Sequence, residues 1–343
     1  MRIEQLTFPR FIIAILIVIF HFGHNAFPFN ISSISFIFNS ACYGVGYFFI
    51  LSGFIMMVAY QDKKYIPLKE FYQNRIARIY PLYLFALIVF VSYLLYYHSK
   101  IDMIDLILNA LLLQSWIPGK ALTLNFPGWF IPVELFFYLI FPFLFNYIYS
   151  RYTLKKLSTA IVFFWISSQI LIYAGTFYWF AKPIIYNHDL MSYFPLVHLN
   201  QFLIGNLAGM LFIRWKPISR NYDILILLNI ILILIAFKFP LKLNYHDGMM
   251  AILYIPLIFL ICLNTGFITK FSCCKIPILL GEMSYAIYIL QLPVFNICFK
   301  VYERIPTLQF SLFFMLYLVV LIFISYIAYY LIEIPARKWL KNL

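Results

Sequence analysis

Charged and titratable side chains inside long apolar stretches are costly in a membrane and usually mark function. Arg10 and His21 stand at the two ends of the apolar run from Phe11 to Phe20, about 16 Å apart if the run is one helix. A guanidinium is a permanent cation that binds anions, whereas an imidazole takes up and returns a proton near neutral pH. The run therefore indicates anion binding at one end and acid–base chemistry at the other. A snorkelling anchor and a helix–helix hydrogen bond are the structural alternatives.

A second group is the pair Arg75 and Arg78 in the segment FYQNRIARIYPLY, where the third apolar stretch begins. Residues three positions apart share one face of a helix. Paired guanidinium groups match the oxygens of a phosphate. On spacing alone, anchoring of a basic cytoplasmic loop is the simpler explanation.

The third group is Glu134, in the segment PGWFIPVELFFYLIFP. If its span begins near Gly128 at the outer surface, Glu134 and His21 lie at a similar depth below that surface. A carboxylate beside an imidazole fixes the tautomer of the ring and raises its basicity. We therefore predict that Glu134 pairs with His21. A structural carboxylate bound to another group is the alternative.

Four weaker candidates for lining the acceptor side of a cavity are His24, Trp129, Tyr285 and Gln291. His24 follows His21 by three positions and shares its helix face, but it lies nearer the membrane interface. The small residues Ser52 and Gly53 in FFILSGFIM are predicted to allow close helix packing. The sequence holds no metal-ligand cluster, Walker loop or dinucleotide fingerprint, so we predict a site without metal.

The elements that must position these residues are membrane helices. Of 343 residues, 64% are hydrophobic and 11% charged, with a mean hydropathy of +0.91, far more apolar than a soluble domain. We predict an all-α polytopic bundle in one domain, 1–343, without an attached soluble domain. The stretch 103–116 is too short to cross and is predicted to be re-entrant or interfacial. The ten predicted spans lie near 9–26, 36–60, 79–97, 128–149, 157–180, 196–213, 222–238, 248–264, 278–299 and 309–332.

The net charge of +13 is interpreted as membrane topology and not as nucleic-acid binding, because Lys and Arg accumulate in cytoplasmic loops. With the N-terminus inside and 103–116 not crossing, most cations fall on the cytoplasmic side. Both termini are therefore predicted to be cytoplasmic. The five cysteines have no metal-ligand or disulfide spacing and are interpreted as free thiols without a functional role.

Taken together, the motifs resemble those of the acyltransferase-3 family of integral-membrane O-acyltransferases, in order and over the whole chain. Arg10 and His21 fit its Arg-to-His pattern on the first span, and Arg75 with Arg78 fits its Arg-x-x-Arg element. The segment WFIPVELFFYLIFP is similar to its tryptophan-to-glutamate motif. The segments YFFILSGFIM, MSYAIYILQLP and EIPARKWL resemble its remaining landmarks.

The resemblance implies a bacterial inner-membrane enzyme that takes acyl groups, usually acetyl, from cytoplasmic acyl-CoA. The acceptors would be hydroxyls of glycans such as lipopolysaccharide O-antigen or exopolysaccharide. Arg10, Arg75 and Arg78 would bind the coenzyme A phosphates, His21 would act as the base and Glu134 would orient it. Direct transfer and a covalent acyl intermediate are both left open, as is the oligomeric state.

Two departures from the family pattern concern the predicted site. Pro132 and its neighbours replace the serines that usually precede the glutamate, and Gln291 stands where many members have a histidine. A membrane transporter or exporter of a polysaccharide or its precursor is the competing class, because polar residues at mid-membrane are also transporter features. The absence of a visible inverted repeat argues against it.

Overall fold

The computed structural model describes residues 3–178, 185–215, 218–241 and 243–341. Within these residues the chain is an all-α bundle without β-strands, as predicted. The α-helices are α1 Thr7–Val18, α2 Ser35–Asn39, α3 Gly44–Tyr60, α4 Leu68–Tyr96, α5 Met103–Ala110, α6 Phe130–Phe143, α7 Leu154–Tyr178, α8 Ile185–Tyr193, α9 Leu199–Trp215, α10 Asp223–Lys238, α11 Ala251–Leu263, α12 Phe267–Ser272, α13 Lys275–Glu282, α14 Ser284–Tyr302, α15 Phe310–Ala328 and α16 Ile334–Lys341. Short 3₁₀ turns lie at Glu4–Leu6, Ala41–Tyr43, Gln114–Trp116 and Phe126–Trp129. Wider π-helical turns lie at Ile19–Gly23, Leu144–Tyr149, Tyr245–Met249 and Tyr329–Glu333.

Seven helical segments among the described residues are long and apolar enough to cross a membrane. The other three predicted spans, near 196–213, 222–238 and 248–264, correspond to the shorter helices α9, α10 and α11, of 17, 16 and 13 residues. A straight crossing takes about 20 residues. The end of the predicted span 157–180 lies outside the described residues. Helix α5 has 8 residues, about 12 Å of helix, and is too short to cross.

Helices α3 and α9 make the most extensive helix–helix contact among the described residues. A Cβ atom on Gly53 would lie 2.3 Å from the Phe202 carbonyl oxygen, and one on Gly205 would lie 2.2 Å from the Ile50 carbonyl oxygen. Such distances leave no room for a side chain, so the two backbones touch directly. The predicted packing role of Gly53 is confirmed. Ser52 faces a cavity instead.

The connection between α5 and α6 is folded into the protein by polar contacts. Tyr83 donates to the Asn109 carbonyl at 3.0 Å and accepts from Gln114 Nε2 at 3.1 Å. Ser115 Oγ donates to the Trp129 carbonyl at 2.7 Å, and Asn125 Nδ2 donates to the Ile289 carbonyl at 3.0 Å. These bonds satisfy backbone carbonyls that lie away from water, and they fix the start of α6 beside α14.

Candidate active site

Two cavities lie among helices α1, α3 and α14 and the segment formed by α6 and the turn that precedes it. Helices α4 and α16 also line the first of them. The arginine cavity is lined by Arg10, Arg75, Arg78, Glu134, Tyr138, Glu282, Tyr285, Tyr288 and Arg337, with apolar side chains between them. The histidine cavity is lined by His21, Trp129, Tyr193, Asn244, His246 and Tyr288, again with apolar neighbours. Their volumes, about 440 and 490 Å³, are in the range of small-molecule sites.

The two cavities are stacked end to end along the same helices. On α1 the lining passes from Arg10 in one cavity to Ile17 in the other. On α6 it changes at the junction of Phe130 and Trp129. On α14, Tyr288 belongs to both linings, and no other described residue does so. A ligand that reaches from the arginines to the histidines must therefore pass Tyr288.

The arginine cavity carries a surplus of positive charge, with four arginines and two glutamates in its lining. The Arg75 guanidinium lies over the rings of Phe71 and Tyr138, at 5.1 and 5.2 Å from their centroids. Ring faces attract a cation without using its N–H donors. Those donors therefore stay available for an anion, and guanidinium groups match phosphate oxygens in geometry and charge.

Glu134 lies in the arginine cavity and not beside His21, so the predicted pair is wrong. Its carboxylate accepts a 2.5 Å hydrogen bond from Tyr138 and faces the charges of Arg78, Arg75 and Arg10. This placement matches the alternative of a carboxylate bound to other groups.

The error came from taking Gly128 as lying at the membrane surface. The turn Phe126–Trp129 is already inside the bundle, because the ring of Phe126 packs on that of His21 at 4.9 Å. Glu134, eight positions farther along the chain, lies about 12 Å deeper. Because the connection before α6 is buried, the depth of Glu134 in the bundle was underestimated.

The partner of His21 is Gln291. The His21 Nδ1 atom lies 2.8 Å from Gln291 Oε1, while Gln291 Nε2 donates to the Tyr288 carbonyl at 2.7 Å. This second bond fixes the amide, so its oxygen faces the imidazole and Nδ1 must carry the proton. The lone pair of His21 is therefore on Nε2, as a base requires. His21 also lies in the π-helical turn Ile19–Gly23, a distortion common at functional sites.

Of the weaker candidates, Trp129 lines the histidine cavity and Tyr285 lines the arginine cavity. The Tyr285 hydroxyl donates to the Ile79 carbonyl at 2.7 Å. His24 lines neither cavity, contrary to the prediction. It is exposed, and its ring bonds the Phe20 carbonyl one helical turn back at 3.1 Å. The helix face shared with His21 is lost because the π-helical turn rotates the residues that follow.

Sequence reasoning missed a second imidazole group in the histidine cavity. His246 Nδ1 donates to Asp247 Oδ1 at 2.9 Å, and Asn244 Nδ2 holds Asp247 Oδ2 at 2.6 Å. His198 is fully buried behind them, 3.8 Å from Asp247 Oδ1, and its Nδ1 accepts from Gln201 at 3.2 Å. The adjacent ionisable letters His and Asp in NYHDGMM, next to an apolar stretch, were the available signal.

His198, His246 and Asp247 offer ligand atoms within 4.8 Å of one another, a spacing that could hold a metal ion. Their atoms already take part in hydrogen bonds with each other and with Gln201 and Asn244. The three side chains thus belong to one imidazole–carboxylate network. The prediction of a metal-free site remains a prediction.

At the other end, sequence reasoning also missed Arg337. It lines the arginine cavity and pairs with the buried Glu333. Both belong to the closing segment EIPARKWL.

The fold and the site define a multi-pass membrane protein with an arginine-lined cavity next to an imidazole-lined one. The family model described as an acyltransferase domain matches residues 3–330. The chain therefore belongs to the acyltransferase-3 family.

Acyltransferase MdmB of Streptomyces mycarofaciens is 31% identical over 106 residues, which are 29% of this chain and 27% of that protein. The match thus spans about a quarter of that relative's length. No solved structure matches the chain.

Proposed function

We propose that the protein transfers an acetyl group from acetyl-CoA to a hydroxyl of an extracytoplasmic glycan, such as O-antigen or exopolysaccharide. Acyl transfer itself follows from the family. One observation carries the finer statement: a cationic cavity and an imidazole-lined cavity share helices α1, α3 and α14 and meet at Tyr288. An acyl-CoA has the same two parts, a phosphate-bearing head and a thioester at the end of a long arm.

The donor would bind with its phosphates among Arg10, Arg75 and Arg78. The four arginines still outnumber the carboxylates when Glu333, the partner of Arg337, is counted with the two glutamates of the lining, so an anionic head gains from entering. The separation of Arg10 and His21, about 16 Å along a helix, is comparable with an extended pantetheine arm. The thioester would then reach the boundary between the cavities.

The acceptor hydroxyl would enter the histidine cavity. His21 Nε2 removes its proton as the oxygen attacks the thioester carbonyl. The tetrahedral intermediate collapses, the carbon–sulfur bond breaks, and the imidazolium returns the proton to the leaving thiolate. Gln291 holds His21 in the tautomer that this step needs, which is the task predicted for Glu134. Glu134 positions the arginines instead.

The network of His246 and Asp247 supports an acceptor rich in hydroxyl groups. With Nδ1 bound to Asp247, the Nε2 atom of His246 is left for a ligand in the cavity. Trp129 lies against that ring, 5.7 Å between centroids. An aromatic surface beside polar groups suits a sugar ring, which has apolar faces and hydroxyl edges. The basic loops support a cytoplasmic N-terminus, which places the arginine cavity toward cytoplasmic acetyl-CoA and the histidine cavity toward the outside.

The test is acyl transfer by the purified protein in detergent, with acetyl-CoA and a panel of glycosides. Coenzyme A release is followed with a thiol reagent while the acceptor is weighed by mass spectrometry. We expect thiol release that depends on the acceptor and an acceptor heavier by one acetyl group. Mass spectrometry of surface glycans from cells with and without the gene then identifies the natural acceptor. A glycan of unchanged mass that crosses the membrane of sealed vesicles would support an exporter and contradict the proposal.

A further inference from the structure

Tyr288 stands at the boundary of the two cavities. Its ring packs on Phe130, 5.4 Å between centroids, and Phe130 lines the arginine cavity while the preceding Trp129 lines the histidine cavity. The side chain is 4% exposed. Any group that moves from the arginines toward His21 must come into contact with this ring.

The hydroxyl of Tyr288 is shielded from water and has no hydrogen-bond partner among the described residues. Buried tyrosine hydroxyls normally find a partner, because leaving such a group unsatisfied costs about 1–3 kcal/mol. Three other buried tyrosines follow the rule: Tyr83 donates to Asn109, Tyr254 to the Tyr43 carbonyl and Tyr317 to the Gln291 carbonyl. Tyr47 is a second exception, but it lines neither cavity. The Tyr288 hydroxyl is thus a donor that no described group uses, on a side chain that lines both cavities.

Tyr288 is also linked to the base. Its backbone carbonyl accepts from Gln291 Nε2 at 2.7 Å, and Gln291 Oε1 accepts from His21 at 2.8 Å. One amide therefore fixes the position of His21 relative to the backbone of Tyr288. Two hydrogen bonds through Gln291 thus connect the proposed base to the residue that lines both cavities.

We propose that Tyr288 is a catalytic residue whose hydroxyl donates a hydrogen bond to the thioester carbonyl oxygen and to the oxyanion formed from it. The inference rests on the proposed function. The acceptor oxygen, deprotonated by His21, bonds to the carbonyl carbon, and the carbonyl electron pair moves onto the oxygen held by Tyr288. When the pair returns, the carbon–sulfur bond breaks and the thiolate takes the proton from His21. The phenol keeps its own proton throughout.

The test compares Tyr288→Phe with Tyr47→Phe. The Tyr47 hydroxyl is equally buried and also without a partner among the described residues, but Tyr47 lines neither cavity. Removal of an unpaired buried hydroxyl should leave the unfolding temperature of either variant unchanged or slightly raised. Only Tyr288→Phe should lose turnover, by about 10²–10³-fold, the loss typical of one oxyanion donor. Coenzyme A binding should equal that of the parent.

The inference is overturned if Tyr288→Phe turns over within about twofold of Tyr47→Phe. It is also overturned if the loss lies wholly in KM, which would make Tyr288 part of the binding surface. A parent protein that transfers no acyl group from acetyl-CoA to any glycoside refutes the proposed function instead, and with it this inference. The two failures are distinguishable, because the first requires an active parent.

Discussion

The two cavities are built by opposite means, although they share helices α1, α3 and α14. In the arginine cavity, charged groups of opposite sign lie near one another: Glu134 shares the lining with four arginines, and Arg337 pairs with Glu333. At the boundary of the histidine cavity, His21 is held by a neutral amide, and its other neighbours there are mostly aromatic. A cluster of cations binds an anion strongly but would destabilise the imidazolium that a nearby base forms when it takes up a proton. The separation keeps the arginine charges away from His21, and the following predictions test the roles proposed for the two cavities.

The largest effect is expected at His21. His21→Ala removes the base, and general-base catalysis contributes about 10²–10⁴-fold, so acceptor-dependent thiol release should fall by that factor while coenzyme A binding is retained. His21→Gln should be nearly as poor, because an amide cannot accept and return a proton. His24→Ala is the matched control, since His24 lines neither cavity, and should keep near-parental turnover. Near-normal transfer by a well-folded His21→Ala protein would contradict the assignment.

The next largest effect is expected in the arginine cavity, on the affinity for coenzyme A and not on turnover. The double change Arg75→Ala with Arg78→Ala should weaken coenzyme A binding by at least about 10–100-fold, since the loss of even one hydrogen bond between charged groups costs about 1.5–3 kcal/mol. Arg→Lys changes should cost less, because the positive charge remains. Some affinity should still be lost, because lysine cannot form the two parallel hydrogen bonds of a guanidinium group. Titration calorimetry measures the affinity, which should also fall as salt rises. Arg151→Ala, outside both cavities, is the control. Unchanged affinity in the double variant would mean that the pair only anchors the helix.

A smaller effect is expected at Gln291, which connects His21 to α14. Gln291→Met keeps the length of the side chain but leaves the His21 Nδ1 proton without an acceptor. The base can then adopt other orientations, and kcat should fall by about tenfold with KM for acetyl-CoA unchanged. A KM effect without a kcat effect would place Gln291 in binding and would weaken the contrast between the cavities.

The smallest effect is expected at Glu134. Glu134→Gln keeps the shape and can retain the contact with Tyr138, but it removes the charge that holds the arginines. We expect KM for acetyl-CoA to rise by about threefold and kcat to stay near the parental value. Steady-state kinetics separate the two. A large loss of kcat with donor binding intact would restore Glu134 as the partner of His21.

Much of this arrangement could be predicted from the sequence, because charges in apolar stretches are conspicuous. The all-α bundle, the short stretch at 103–116 and the grouping of Arg10 with Arg75 and Arg78 all follow from charge and hydropathy. The separation of Arg10 and His21 also follows from the sequence, because the rise per residue of a helix is fixed.

The predictions that failed concerned residues whose positions depend on irregular backbone. The depth predicted for Glu134 was counted from Gly128 as if that residue lay at the surface, but the connection before α6 is already buried. The orientation of His24 depended on a π-helical turn that apolar periodicity does not reveal. His246 and Asp247 come together with His198 from segments almost fifty residues apart, and no local pattern predicts such a meeting.

The direct backbone contact between α3 and α9 has a mechanical consequence. With no side chains between the helices at Gly53 and Gly205, neither helix can slide or rotate without a collision of main-chain atoms. The two helices therefore behave as one rigid unit. Helix α3 forms one wall of both cavities. If either cavity changes width, we therefore expect the movement in its other walls, while α3 and α9 keep their positions relative to each other.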